Sequence, residues 1–175
     1  LLPGDTVLLL GTGGVSIFAL QFAKMAGARV ILTSSSDEKL ERARALGADH
    51  VINYRRHPEW QNAVLELTDG KGADHAVEVG GPDTLNKTLQ AVRVGGSISL
   101  MGVLTGFTAN LSTVSILHKN IKIQGTYVGS VAMFEAMNRA IGLHRMKPVV
   151  DRIFPFDNAV AALKYLQSGS HFGKV

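Results

Sequence analysis

The sequence predicts an α/β fold: a doubly wound parallel sheet of about six strands with helices on both faces. Three observations carry that prediction. Short, nearly continuous apolar runs alternate with helical patterns, as expected for strands buried on both faces and joined by crossover helices. A glycine-rich turn, Gly11-Thr12-Gly13-Gly14, separates the first apolar run from the first helix. The composition suits one domain with a real core: 175 residues, 46% hydrophobic and 18% charged.

Thr6 to Leu10 reads as the first strand, closed by Gly11. Val15 to Ala26 follows as a helix whose only charge is Lys24, which predicts burial, and Gly27 stops it. The second strand is Arg29 to Thr33. Ser36 caps the second helix, Asp37 and Glu38 favour its dipole, and Gly47 follows its end. Val51 to Tyr54 is the third strand. Pro58 introduces a helix from Glu59 to Leu67, which ends before Asp69-Gly70. Ala73 to Val79 is the fourth strand; after Gly80-Gly81-Pro82, Asp83 caps a helix through Arg93. Gly95-Gly96 ends that helix and Ser97 to Met101 is the fifth strand. A short helix from Ser112 to Lys119 precedes the sixth strand, Ile121 to Gly125. Ser130 to Arg145 is helical, with Val131, Phe134, Met137, Ala140 and Ile141 on one stripe.

This alternation fills residues 1–146 and defines one unit. Residues 147–175 break it. They read as a strand from Arg152 to Phe156, a helix from Asp157 to Ser168, a turn at Ser168-Gly169-Ser170 and the start of a strand at Phe172.

Several classes are excluded. Low charge and high apolar content exclude disorder. No apolar run reaches the roughly 20 residues of a membrane helix; Val7 to Ala26 is broken by Gly11, Gly13 and Gly14. The chain has no cysteine, which excludes a disulfide scaffold or a thiolate zinc site within it. Its six histidines form no i, i+4 pair, so a zincin-like metal site is absent too. The net charge of +4 is spread along the chain rather than gathered in a stripe, which argues against nucleic acid and allows an anionic small ligand. The start at Leu1 without a leader, and the apolar pattern beginning at Gly173-Lys174-Val175, predict a piece of a longer cytoplasmic protein.

The chemistry concentrates at Gly11-Thr12-Gly13-Gly14-Val15-Ser16, a G-x-G-x-x-G pattern with Ser16 in the third glycine's place. Gly11 permits the turn out of the strand, and Gly13 lets a pyrophosphate approach the backbone. The helix that follows points free amides and its positive end at that anion. Serine is small enough for the close helix–strand packing that the third position controls. A buried strand before the motif and a helix after it point to a dinucleotide site at Gly11, Gly13, Gly14, Val15 and Ser16.

The end of the second strand distinguishes between dinucleotides. A carboxylate roughly 20 residues past the first glycine would bind the ribose diol of NAD. Ser34 and Ser35 stand there, and the first acid, Asp37, belongs to the helix. Neither serine repels a 2′-phosphate, and Lys39, a turn further on, offers it a point charge. The residues therefore favour NADP, with NAD still open. A methyltransferase-like domain shares the glycine-rich turn but calls for an acid where Ser34 stands.

Further stretches carry a family likeness: Pro3-Gly4-Asp5-Thr6-Val7, the run from Ala45 to Tyr54, Gly72-Ala73-Asp74, Val77-Glu78-Val79-Gly80-Gly81, Val94-Gly95-Gly96 and Gly169-Ser170-His171-Phe172-Gly173-Lys174-Val175. With Gly11 to Ser16, they make the chain resemble the cofactor domain of the medium-chain dehydrogenase/reductase superfamily, which includes zinc alcohol dehydrogenases and quinone oxidoreductases. The resemblance implies a Rossmann fold in which Lys39 and Tyr54 hold the 2′-phosphate of NADP. It implies that Gly80, Gly81, Val103, Leu104, Tyr127, Val128 and Gly129 face the nicotinamide half.

The resemblance also implies a separate catalytic domain, absent from this chain, with most of the substrate pocket and, in zinc members, the metal. Residues 147–175 would be the return toward that domain, leaving Ile153, Phe154, Phe156, Val160, Leu163 and Leu166 without their partner. The implied reaction is hydride transfer between the nicotinamide and an alcohol or carbonyl, or a quinone or enone, with the chain inactive on its own. Relatives that pair the sixth-strand edge across a two-fold axis imply a homodimer. The competing class is a non-catalytic nucleotide-binding module, such as a redox sensor or scaffold.

Overall fold

The computed structural model describes residues 1–175. Its strands are β1 (Thr6–Leu10), β2 (Arg29–Ser34), β3 (His50–Asn53), β4 (Ala73–Glu78), β5 (Val92–Leu100) and β6 (Lys122–Gly125). Its helices are α1 (Gly14–Met25), α2 (Asp37–Ala45), α3 (Trp60–Glu66), α4 (Pro82–Ala91), α5 (Thr113–Lys119), α6 (Val131–Leu143) and α7 (Ala159–Gln167). All strand pairs are parallel, in the order β3-β2-β1-β4-β5-β6. The order reverses between β1 and β4. In such sheets a crevice opens there, beyond the carboxyl ends of the strands.

The sheet builds two cores because side chains alternate across a strand. Leu8, Leu10 and Ile31 pack with Trp60, Val64, Leu85 and Leu89 from α3 and α4. Val7, Leu9, Val30 and Leu32 pack with Ile17, Leu20, Leu40 and Ala43 from α1 and α2. All five residues of β1 are buried, which is why that run carries no polar alternation. Ser36, Ser112 and Ser130 each accept a bond from a backbone N–H of the helix they open.

The structure corrects two readings of the sequence. The helix after β4 is capped at Gly81, with Pro82 in its first turn, rather than by Asp83. It stops at Ala91, and Val92 and Arg93 belong to β5. Val92 is fully buried and pairs with Ala73, while Arg93 Nε donates to Asp74 at 2.5 Å. Gly95-Gly96, which resembles a helix stop, sits within β5 where the register with β4 shifts.

The second correction is the expected strand from Arg152 to Phe156, which does not form. Only Val150 bridges to Lys174, and a 3-10 turn at Phe156–Asn158 leads into α7. Asp151 is instead held by Arg42 at 2.8 Å and by the Tyr165 hydroxyl at 2.6 Å. Pro155 has no N–H for a ladder.

The segment from 147 to 175 is divided in its packing. Ile153, Phe156, Val160, Leu163 and Leu166 are exposed, and Phe154 lies against Tyr165 with ring centroids 5.8 Å apart. Phe172, in contrast, is 1% exposed and sits in the core beneath α1 and α2, under the Arg42 guanidinium. Gly173 N–H donates to the Thr12 carbonyl at 3.0 Å, so the end of the segment lies against the glycine-rich turn. No helix is long and apolar enough to cross a membrane.

Candidate functional site

The turn after β1 is built from two glycines with different reasons to be glycine. Gly11 has φ +77°, a conformation that L side chains resist, and its N–H bonds to the Thr33 carbonyl at 2.8 Å. Gly13, the N-cap of α1, has φ −77° and ψ −179°, which any residue adopts. A Cβ built on Gly13 meets only His171 Nε2, at 3.9 Å. Neither backbone nor neighbours require glycine there. What its small size preserves is open room above the amides.

Those amides have no partner within the helix, and Gly173 bridges to the turn at Gly13. Gly13 supplies no side-chain cap, and the first N–H groups of a helix have no intrahelical acceptor. With the helix dipole they form a site for an anion, so the residues present fit a pyrophosphate. Ser16 serves the fold instead, since its buried hydroxyl donates to the Leu10 carbonyl at 2.6 Å and fastens α1 onto β1.

The other end of the cleft lies beyond β2. Ser34 is buried and its hydroxyl accepts from Ser36 N–H at 3.4 Å. Asp37 turns toward β3, where Asn53 Nδ2 donates to it at 2.7 Å and Arg56 pairs with it. Lys39 Nζ reaches back and donates to the Gly169 carbonyl at 2.6 Å. Burial holds the lysine below its ordinary pKa, with Asp151 opposing in part. Burial, and then the Lys39 ammonium, also push His171 below the ordinary histidine value.

The structure gathers Gly11, Gly13, Gly14, Val15, Ser16, Ser34, Ser35, Lys39, Tyr54 and Leu104 around one cleft of about 560 Å³. Leu10, Thr12, Val79, Met101, Gly102, Leu166, Gly169 and His171 complete its wall, and the sequence alone marks none of them as a site residue. No carboxylate lines it. Thr12 lies inside the glycine motif, and Gly169 and His171 inside the closing stretch of the family likeness, so signals for these existed.

Gly80 lines an adjoining hollow of about 440 Å³ that shares Tyr54 and Leu104 with the cleft and adds Trp60 and Lys87. Gly81 does not line either space; it caps α4. The loop is pinned by Glu78, whose 0% exposed carboxylate accepts from Gly80 N–H at 2.8 Å, Gly81 N–H at 3.1 Å and the Thr84 hydroxyl at 2.7 Å. Thr88 adds a fourth bond at 2.5 Å.

Val103, Tyr127, Val128 and Gly129 are not brought to the cleft. Val103 turns outward between Gly102 and Leu104, and Tyr127 is 96% exposed. The last three follow β6, at the sheet edge and two strands away from β4. No group of three or more His, Asp or Glu side chains stands together in a way that could hold a metal.

A doubly wound parallel sheet with a glycine turn and a helix N-terminus at its switch point is a dinucleotide-binding domain of Rossmann type. The chain belongs to the zinc-binding dehydrogenase family, whose model matches residues 14–142, and it is an oxidoreductase cofactor-binding domain of the medium-chain type. It is 49% identical to a zinc-type alcohol dehydrogenase-like protein of Schizosaccharomyces pombe, over 99% of this chain and 51% of that protein. The structure of an NAD-dependent alcohol dehydrogenase superposes with a TM-score of 0.90 at 36% identity, covering 98% of this chain and 50% of the other. A 2-octenoyl-CoA carboxylase reductase in complex with NADP and 2-octenoyl-CoA superposes with a TM-score of 0.90 at 26% identity, over 99% of this chain and 43% of the other. The chain spans about half the length of the curated relatives it matches.

Proposed function

We propose that this domain binds NADP(H) and that the intact protein transfers a hydride between the nicotinamide and an alcohol or carbonyl, or a quinone or enone. The observation that carries the choice of cofactor is the charge of the cleft wall: Lys39 stands at the ribose end, and no carboxylate lines the cleft. A carboxylate would favour a ribose diol and repel a 2′-phosphate; a lysine attracts the phosphate.

When bound, the nicotinamide supplies the hydride. The chain's residues bind and orient. The amides at the start of α1 compensate the pyrophosphate, Lys39 and Tyr54 hold the 2′-phosphate, and Glu78 keeps the Gly80-Gly81 loop in place beside the cleft. The exposed row of Ile153, Phe156, Val160, Leu163 and Leu166 is covered in this reading by a catalytic domain outside the chain. Substrate turnover by the 175-residue chain alone would overturn that part.

Calorimetric titration of the intact protein with NADPH and NADH tests the cofactor. NADPH binds more tightly under this proposal; NADH binding as tightly or more tightly overturns it. The edge position of β6 supports a homodimer through that strand. Light scattering that finds a monomer at high concentration overturns the dimer.

A further inference from the structure

We propose that His171 is a cofactor-binding residue whose Nε2–H donates to the pyrophosphate of the bound dinucleotide. This rests on the dinucleotide reading above and adds a contact from the far end of the chain.

The first argument is position. His171 lines the same cleft as Gly13 and Lys39. Its Nε2 lies 3.9 Å from the point that a Gly13 Cβ would occupy, at the border of the room above the α1 amides. That is the room a pyrophosphate enters.

The second argument is the proton. His171 Nδ1 is buried and has no hydrogen-bond partner. Either neutral tautomer leaves Nδ1 without a partner, and the one with its proton on Nε2 turns a donor toward the room beside Gly13. Burial and the Lys39 and Lys174 ammonium groups hold the ring below the ordinary histidine value against the attraction of Asp151.

The third argument is rigidity. Phe172 is locked into the core and Gly173 N–H is bonded to the Thr12 carbonyl. These anchors directly after His171 hold its place, so little ordering is left to binding.

The experiment measures dissociation constants of NADPH and NADH by calorimetry on the intact protein, with His171→Ala, His171→Gln and Lys39→Ala. Because both dinucleotides carry the pyrophosphate, His171→Ala should weaken both by the same factor, roughly tenfold or more for a lost bond to a charged group. His171→Gln keeps a donor at similar reach and should restore most of the affinity. Lys39→Ala should weaken NADPH alone. Unchanged affinities in His171→Ala overturn the proposal. So does a loss confined to NADPH, which would place His171 at the 2′-phosphate, and so does a glutamine variant as weak as alanine. A parent protein that binds neither dinucleotide would overturn the cofactor reading itself, and this contact with it.

Discussion

Lys39 Nζ donates a 2.6 Å hydrogen bond to the carbonyl oxygen of Gly169, joining α2 to the loop after α7 across 130 residues of sequence. The ammonium has no carboxylate within ion-pairing distance, since Asp37 is occupied by Asn53 and Arg56. Its charge is left available to an anion in the cleft. Lys39→Ala should therefore weaken NADPH by about 1.5–3 kcal/mol, the usual cost of losing a charged hydrogen bond, and leave NADH nearly unchanged. Paired titrations measure the difference; equal losses for both cofactors would reject the assignment to the 2′-phosphate.

Gly13→Ala separates the needs of the fold from those of the ligand. The backbone at φ −77° accepts a side chain, and the new Cβ meets nothing closer than 3.9 Å. Stability should change by less than about 1 kcal/mol, because reduced freedom in the unfolded chain opposes the poorer N-cap. Cofactor affinity should fall at least tenfold, because the methyl group occupies the pyrophosphate's approach. A variant that melts normally and binds normally would show that the room above the amides holds no phosphate.

Phe172 holds the end of the chain against the glycine turn. Phe172→Ala removes a ring that is 1% exposed and should cost about 3–5 kcal/mol in denaturant unfolding. It should also release His171 from its place and weaken the cofactor. A loss below about 1 kcal/mol would mean that the segment is not seated in the core.

Acid should destabilise the domain in two stages. Burial lowers the pKa of His75 and His171 below 6.5, so between the folded values and 6.5 the unfolded chain binds more protons and stability rises with pH. Their contribution is present above 6.5 and declines as the pH falls through that region. Asp49 and Asp74 are pushed up by burial. That push is outweighed by their hydrogen bonds, with Lys24 and Val30 for Asp49 and with Thr6 and Arg93 for Asp74. Tyr165 and Arg42 hold Asp151 down as well. These carboxylates stabilise the fold above 3.8 and lose that effect as the pH drops through their lower folded values. Melting temperatures recorded from pH 8 to pH 3 should decline first below about 6.5 and again below about 4. A flat profile between pH 7 and pH 5 would contradict the first stage.

The strands, most helix limits and the phosphate turn were legible in the sequence because each depends on neighbours a few residues away. Thr6–Leu10 is a closed apolar run, Ser36 bonds within its own first turn, and Gly11 to Ser16 form one local turn. The misread stretches answer to distant partners. Val92 and Arg93 look helical until Ala73 and Asp74 stand beside them, and residues 152 to 156 look like a strand although no strand lies next to them. Local hydrogen bonding and side-chain periodicity thus determined the sheet and one wall of its cleft. The opposite wall was decided only by tertiary structure. Burial of Phe172 in the core brings Gly169 and His171 to Lys39 and Gly13, and no spacing within the chain records that approach.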